Sequence, residues 1–206
     1  AMEFFEADHQ AALDRYLRDE DLQFIPLITD PLGYALLAAG RLDEAVVLLE
    51  QVWAHPEVRS SKVYSPLVAA PYATALWAAG DRSSARHVID LAIEDARAIE
   101  SDVVDAWIGV IDGTFDLDEG ATTPAEARLH PALRVLHANG RRQHVCDALE
   151  AIARVELGFG RAGAAAVLLG AASRERDAQG VVLRPAHQAT YLESIHSLLG
   201  ELRTEA

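Results

Sequence analysis

Four glycines recur along the chain at equal intervals, and alanine follows each of them at the fifth position. The glycines are Gly40, Gly80, Gly120 and Gly160, and the alanines are Ala45, Ala85, Ala125 and Ala165. A period of about 40 residues with a repeated Gly-x-x-x-x-Ala junction is typical of stacked helical hairpins. Glycine can end the first helix of each hairpin in the left-handed conformation, and alanine leaves room for the second helix to approach the first. Gly200 continues the interval without the alanine and is not counted as a junction.

Apolar residues flank these junctions at the spacing of helices rather than strands. Leu36 and Leu37 precede Gly40, for example, and Leu48 and Leu49 follow it, as one face of a helical period requires. Alanine and leucine, which are strong helix formers, dominate a chain with only 6% aromatic residues. We therefore predict an all-α fold, a stack of about four helical hairpins with N- and C-terminal capping helices, in a single helical-repeat domain over residues 1–206.

The two chain ends are predicted to form the caps of this stack. A helix from Phe4 to about Leu17 would cover one end, and a last helix with Pro185 in its first turn would cover the other. Residues 181–183 are expected to connect that last helix to the preceding one. Its apolar side is predicted to consist of Ala189, Leu192, Ile195, Leu199 and Leu202.

The segment from Gly160 to Gly180 is unusually rich in alanine. We interpret it as the second helix of a hairpin, whose small side chains permit close packing against the helix over 142–157. Its charged end, residues 174–177, is expected to be a solvated last turn. Pro131 and the pair Asn139-Gly140 are expected to break any helix that would run from His130 to His144. The helix pairing between residues 102 and 139 therefore stays open.

Composition and charge exclude several classes of function. The net charge of −14 disfavours direct contact with nucleic acid or an anionic membrane. A single cysteine, Cys146, excludes a disulfide framework, and no apolar run is long enough to span a membrane. A cytoplasmic location is therefore predicted. Because alanine precedes Met2, we interpret residues 1–2 as a cloning remnant and the chain as part of a longer protein.

No constellation with catalytic or metal-binding chemistry is evident in the sequence, so no enzyme activity, cofactor or metal is predicted. His130, His137 and His144 are evenly spaced, but the expected helix breaks would separate them. Cys146 lies on an apolar helical face, which favours a buried and inert thiol. The acidic run of Asp112, Asp116, Asp118 and Glu119 lacks the glycine and glutamate of a calcium loop and is expected to form an acidic loop.

Residues 33–56 resemble a tetratricopeptide repeat, which favours Leu-Gly, Ala and Pro where this chain has Leu32-Gly33, Ala45 and Pro56. The resemblance implies a tetratricopeptide-like stack with a groove lined by the first helix of each hairpin. Aromatic and arginine side chains in such a groove can anchor a peptide or a small ligand. The residues nominated for it are Asp30, Tyr34, Leu37, Leu67, Thr74, Trp77, Trp107, Glu150 and Arg154.

The C-terminal segment over residues 139–200 resembles the end of the helical-repeat region of large actinobacterial regulators. The matching residues are Ala148-Leu149-Glu150, Gly160, Leu168-Leu169-Gly170-Ala171-Ala172, Arg176, Gly180, Pro185 and Tyr191. Those regulators combine a MalT-like ATPase module with such a repeat region, and often with a LuxR-type or adenylate-cyclase-like domain.

This second resemblance implies a non-enzymatic region that senses an effector or binds a protein in a transcriptional or signalling regulator. Its implied partners are the ATPase module of the parent protein and a small-molecule effector or protein. No nucleotide-binding P-loop motif occurs in this chain. The alternatives are a free-standing helical-repeat scaffold that binds a peptide or partner protein, and an enzyme with its site in the groove. Homodimer formation through an apolar hairpin face is a further possible interaction.

Overall fold

The computed structural model describes residues 11–13, 15, 16, 18, 24–180 and 185–204, except the side chains of 34, 38, 179, 185–190 and 201–204. Throughout these residues the regular elements are helices and no strand occurs, so the fold is all-α. The predicted N-terminal cap lies largely outside the described residues, as does the connection over 181–183. Within the described part, no helix combines the length and the apolar composition that a membrane span needs.

The chain divides into two compact units, Ala1–Ser101 and Asp102–Ala206. The described helices of the first unit are α1 (Ile25–Ala38), α2 (Leu42–Trp53), α3 (Pro56–Ser60), α4 (Tyr64–Ala78) and α5 (Arg82–Ala98). Helix α4 packs against α1, α2 and α5. It is therefore the central helix of this unit, and residues 65–73 of α4 are buried with the exception of Leu67.

The second unit contains α6 (Asp102–Asp118), α7 (Thr122–Ala138), α8 (Arg142–Gly158), α9 (Ala162–Gln179) and α10 (Pro185–Thr204). Helix α8 is central here, because it contacts each of the other four. One cluster of its apolar side chains packs against α6 and α7, and includes Ile152 and Leu129. Another packs against α9 and α10, and includes Ala153 and Leu198.

The glycines that mark the period each end a helix in the left-handed conformation. Gly40, Gly80, Gly120 and Gly160 have φ angles of 72°, 89°, 78° and 70°. At Gly160 the amide donates to the carbonyl of Leu157 and the next amide, of Arg161, donates to that of Glu156. The same pair of bonds occurs at the other three junctions and defines a Schellman motif. The predicted role of these glycines is confirmed.

Over the middle of the chain, the distance in sequence from the start of one helix to the start of the next is half the interval between these glycines. Helices α5, α6, α7 and α8 have the same length and begin at positions 82, 102, 122 and 142. Left-handed residues therefore also end the second helices, at Glu100 with φ of 52°, Gly140 with φ of 66° and Gly180 with φ of 63°. Because position 100 holds glutamate rather than glycine, the positions of the glycines alone do not reveal this shorter interval.

The alanines that follow the junctions are fully buried, at 0% exposure for Ala45, Ala85, Ala125 and Ala165. Another close approach lies deeper in two of the hairpins. A Cβ placed on Gly33 would lie 3.0 Å from a methyl group of Leu49, and one on Gly113 would lie 2.9 Å from Cγ of Leu129. The two glycines are two periods apart, and so are the two leucines. Small residues therefore set the distance between paired helices, as the sequence indicated.

Pro131 does not interrupt its helix, contrary to the sequence-based expectation. Helix α7 runs through it to Ala138 and then turns at Gly140. The proline lies on the exposed side of α7, where water can bind the carbonyl group that loses its amide donor. Pro31 and Pro71 are likewise inside α1 and α4. The interruption at Asn139-Gly140 is confirmed.

The predicted apolar side of the last helix is partly wrong. Helix α10 does begin at Pro185, but Leu192 and Leu199 are 49% and 48% exposed. Leu198 is buried instead, with Tyr191 and Ile195 packed beside it. Helix α10 therefore packs through Tyr191, Ile195 and Leu198. This packing surface is rotated about the helix axis relative to the predicted one, which included Leu192 and Leu199.

Candidate functional site

The nominated groove residues of the first unit lie in α1 and α4. Leu37 is buried, Asp30 is half-buried, and the Thr74 hydroxyl donates to the Ala70 carbonyl at 3.0 Å. The side chain of Tyr34 lies outside the described residues. Leu37 and Thr74 are thus engaged within the unit.

Trp77 is half-buried and lies against two arginines of the following helix. The guanidinium carbon of Arg82 is 4.9 Å from the centre of the indole, and that of Arg86 is 5.4 Å from it. These distances are within the range of cation–π interactions. Part of the indole face that we expected to meet a ligand therefore contacts the protein's own arginines.

The nominated residues of the second unit also have partners within it. The rings of Trp107 and His144 are 5.4 Å apart, and Arg154 forms an ion pair with Asp118 at 2.6 Å. Glu150 is buried at 8% exposure and binds Arg176. Arg176 is itself 7% exposed, so the expectation that residues 174–177 form a solvated turn is wrong at this position.

A concave feature of the second unit is formed by α7, α8 and α9. It has a volume of about 890 Å³, within the range of roughly 300–1,000 Å³ that small-molecule sites occupy. The N-terminal half of α8 forms its floor, and the C-terminal halves of α7 and α9 form its walls. Its apolar lining consists of Leu133, Val145, Leu149, Ala171 and Ala178. We name this feature the arginine groove.

The polar lining gives the groove its name and is mainly cationic. It consists of Arg134, His137, Arg142, Arg174 and Glu175. Glu175 lies 3.8 Å from Arg142 and balances part of its charge. Arg134 and Arg174 are exposed, and neither forms an ion pair with another described residue. Two guanidinium groups therefore remain available beside an apolar floor.

Sequence reasoning missed the arginine groove, because none of the nominated residues lines it. The nomination assumed that ligands meet the first helix of each hairpin, whereas this groove is walled by the second helices α7 and α9. One signal could have found it. Arg134 and Arg174 are separated by one full period of the repeat, so they occupy the same position in successive hairpins.

The acidic residues expected in a loop lie in α6 instead, so that expectation is wrong for Asp112, Asp116 and Asp118. Asp112 and Asp116 are buried at 3% and 7% exposure. Arg128 of α7 holds both, at 2.9 Å from an oxygen of each carboxylate. These ion pairs link α6 to α7, because Arg128 on one helix neutralises part of the charge of the two carboxylates on the other.

The thiol of Cys146 is buried, as predicted. Burial raises its pKa to about 11, and the neighbouring Asp147 and Glu150 act in the same direction while Arg176 opposes them. At neutral pH the sulfur is therefore held as the thiol rather than the nucleophilic thiolate. This environment favours a structural role for Cys146.

Glu126, His130 and Glu156 bring potential metal-ligand atoms within 4.8 Å of one another. The guanidinium group of Arg161 already lies beside the two carboxylates of this group. Arg161 binds Glu156 at 2.5 and 2.9 Å and lies 3.5 Å from an oxygen of Glu126. We therefore interpret these residues as an ion-pair cluster that fixes the turn between α8 and α9.

Comparison with protein-family models and with curated proteins finds no match for this chain.

Proposed function

We propose that this chain is a non-enzymatic, tetratricopeptide-like repeat region that senses an effector or binds a protein partner within a transcriptional or signalling regulator. The repeat architecture is supported by the evenly spaced Schellman turns and by the fully buried alanine after each of them. The equivalent close contacts of Gly33 with Leu49 and of Gly113 with Leu129 support it as well.

The single observation that carries a binding role is the arginine groove. Its volume and its apolar floor match those expected of ligand sites. The strongest acid–base clusters in the described residues are engaged in joining helices, as at Arg128 and Arg176. A role in binding thus has more support than a role in catalysis.

The assignment to a regulator of the MalT-like, LuxR-type class rests on the resemblance of residues 139–200. Most of the matching phrase lies in α8, α9 and α10, the helices that form or adjoin the groove. An effector bound there would contact α7, α8 and α9 together. It could therefore change how these helices pack, which is the requirement for passing a signal to another domain of the parent protein.

A thermal-shift screen of metabolites and nucleotides tests this function. The wild type is compared with Ala178→Trp, which fills the groove, and with Ala164→Trp, which adds the same side chain to an exposed position of α9 outside it. We expect at least one compound to raise the melting temperature of the wild type and Ala164→Trp but not of Ala178→Trp.

A compound whose effect is lost in Trp77→Ala but kept in Ala178→Trp would move the site to the first unit. If no compound stabilises any variant, effector sensing is contradicted. Binding to a separately expressed ATPase module of the parent regulator, with the same three variants, then tests the protein-interaction form of the proposal.

A further inference from the structure

The arginine groove concentrates positive charge in a strongly acidic chain. The whole protein has 32 acidic residues against 18 lysines and arginines, yet three arginines and one glutamate line this cavity. Among described residues, Arg134 and Arg174 have no carboxylate within ion-pair distance, although acidic residues are abundant. Such an arrangement is complementary to negative charge brought from outside.

The same cavity provides a place for an apolar body. Leu133 and Leu149 are half-buried and Val145 is buried at 8% exposure, so a ligand that lies on them removes apolar surface from water at about 25 cal/mol per Å². The start of α8 also opens here, at Gly140 and Arg142. No side chain caps that helix start, and its partial positive charge adds to that of the arginines.

The size of the groove favours a small molecule over a helix of a partner protein. A helix about 10 Å wide that rises 1.5 Å per residue would fill 890 Å³ in about two turns. Two turns present far less than the roughly 800 Å² per partner that a stable protein interface buries. A drug-sized organic molecule, by contrast, fits a cavity of this volume.

We propose that the arginine groove binds an organic anion, with its aromatic or aliphatic body on Leu133, Val145 and Leu149 and its acidic head between Arg134 and Arg174. Planar guanidinium groups suit carboxylate, phosphate and sulfonate heads alike, because each can accept two parallel hydrogen bonds. This inference rests on the proposed binding function and specifies the class of effector.

Two fluorescent probes that differ by one charged group provide the test. They are 8-anilinonaphthalene-1-sulfonate and N-phenyl-1-naphthylamine, which share the same aromatic frame, and the second lacks the sulfonate. In low salt we expect the anionic probe to bind the wild type at least about ten times more tightly than the neutral probe does. One charge-assisted contact of about 1.4 kcal/mol corresponds to that factor. Raising the salt concentration should weaken the anionic probe alone.

Variants then locate the binding and its charge dependence. The double variant Arg134→Gln/Arg174→Gln should raise the Kd of the anionic probe about ten-fold or more and leave the neutral probe unchanged. Arg97→Gln, which removes an exposed arginine that does not line the groove, should change neither. Ala178→Trp should weaken both probes and Ala164→Trp neither. Circular dichroism checks that each variant is folded, which is expected because these positions are exposed.

The outcomes separate this inference from the proposed function. If Ala178→Trp weakens both probes but the arginine variant changes neither, the groove binds ligands and the preference for anions is overturned. If Ala178→Trp changes the Kd of neither probe, both the groove as a binding site and its preference for anions are overturned.

Competition identifies the head group. Displacement of the anionic probe by octanoate or by octyl phosphate supports the inference and shows which acid is preferred. Displacement by an acidic amphipathic peptide, without displacement by either octyl anion, overturns it in favour of a protein ligand.

Discussion

Arg176 and Glu150 form a two-pronged ion pair inside the second unit, with both nitrogen–oxygen distances at 3.0 Å. Arg176 also donates to Asp147 at 3.1 Å. All three side chains are buried, at 7–8% exposure. One arginine of α9 thus neutralises part of the charge of two carboxylates on α8, which ties the two helices together.

Replacing Arg176 by methionine should strongly destabilise the protein. The change keeps much of the side-chain volume but leaves Glu150 and Asp147 buried without their cation. Breaking a buried ion pair in this way costs about 3–5 kcal/mol. Urea denaturation followed by circular dichroism measures the loss.

Arg174→Met is the matched control for Arg176→Met, because Arg174 is exposed two residues earlier on the same helix. We expect it to change the free energy of unfolding by less than about 1 kcal/mol, because substitutions at exposed positions without an ion-pair partner have small effects. Equal losses for the two variants would contradict the structural role of Arg176.

The ion pair also predicts how stability depends on pH. Burial raises the pKa of Glu150 above its ordinary value of 4.5, while Arg176 opposes the rise. Between 4.5 and the raised value, the folded state binds more protons at this carboxyl than the unfolded state does. The contribution of Glu150 to stability therefore falls as the pH rises through that window and is largest below 4.5.

Comparison with Glu150→Gln reports mainly this effect, since glutamine does not titrate and groups distant from position 150 contribute equally to both proteins. The urea midpoint of the wild type, relative to that of Glu150→Gln, should decrease as the pH is raised from about 4 to about 7. An increase over the same range would mean that Arg176 outweighs burial and that the pKa of Glu150 is lowered.

The helical class and its turn positions could be predicted from sequence because they depend on local signals. Glycine at a helix end and apolar residues at a helical period report on their own neighbourhood. Glu100 shows the limit of such signals. It takes the left-handed conformation without being glycine, so the shorter interval between helix starts could not be recognised from residue types alone.

The positions of charged residues depend on partners that are distant in the chain, and most of these were not predicted. Asp112 and Asp116 suggested an acidic loop because Arg128, which forms ion pairs with both, lies on the next helix. The arginine groove was missed for a similar reason. Arg134 and Arg174 become neighbours of one cavity only when α7 and α9 flank α8, and a single sequence does not show that packing.

The close contact at Gly113 predicts opposite effects for two glycine-to-alanine changes inside helices. Alanine favours a helix interior by about 1 kcal/mol over glycine. At Gly113, however, a new Cβ would lie 2.9 Å from Cγ of Leu129, whose side chain is fully buried. Overpacking of this kind costs about 1–3 kcal/mol, so Gly113→Ala should lower the free energy of unfolding.

Gly170 lies inside α9, and a Cβ there would meet nothing within 4 Å. Gly170→Ala should therefore raise the free energy of unfolding by up to about 1 kcal/mol. Urea denaturation of both variants checks the pair. Stabilisation by both changes would show that α6 and α7 can separate slightly at no cost, and that Gly113 does not set their distance.

The left-handed residue at position 100 makes a further prediction about the turns. Glu100 ends α5 with φ of 52°, in a region that costs a residue with a side chain about 1–2 kcal/mol. Its amide donates to the Arg97 carbonyl, and that of Ser101 to the Ala96 carbonyl, which is the arrangement found at the glycine turns. Glu100→Gly should relieve the strain and keep both hydrogen bonds.

Glycine also gains conformational freedom in the unfolded chain, worth about 0.4–1 kcal/mol, so the net stabilisation of Glu100→Gly should be up to about 1 kcal/mol. Gly120→Ala is the reverse change at an equivalent turn. With φ of 78° and no atom within 4 Å of its Cβ position, it should destabilise through the backbone alone, by about 1 kcal/mol. Melting temperatures measured side by side should therefore move in opposite directions. A lower melting temperature for Glu100→Gly would show that the glutamate side chain contributes more to this turn than its backbone strain removes.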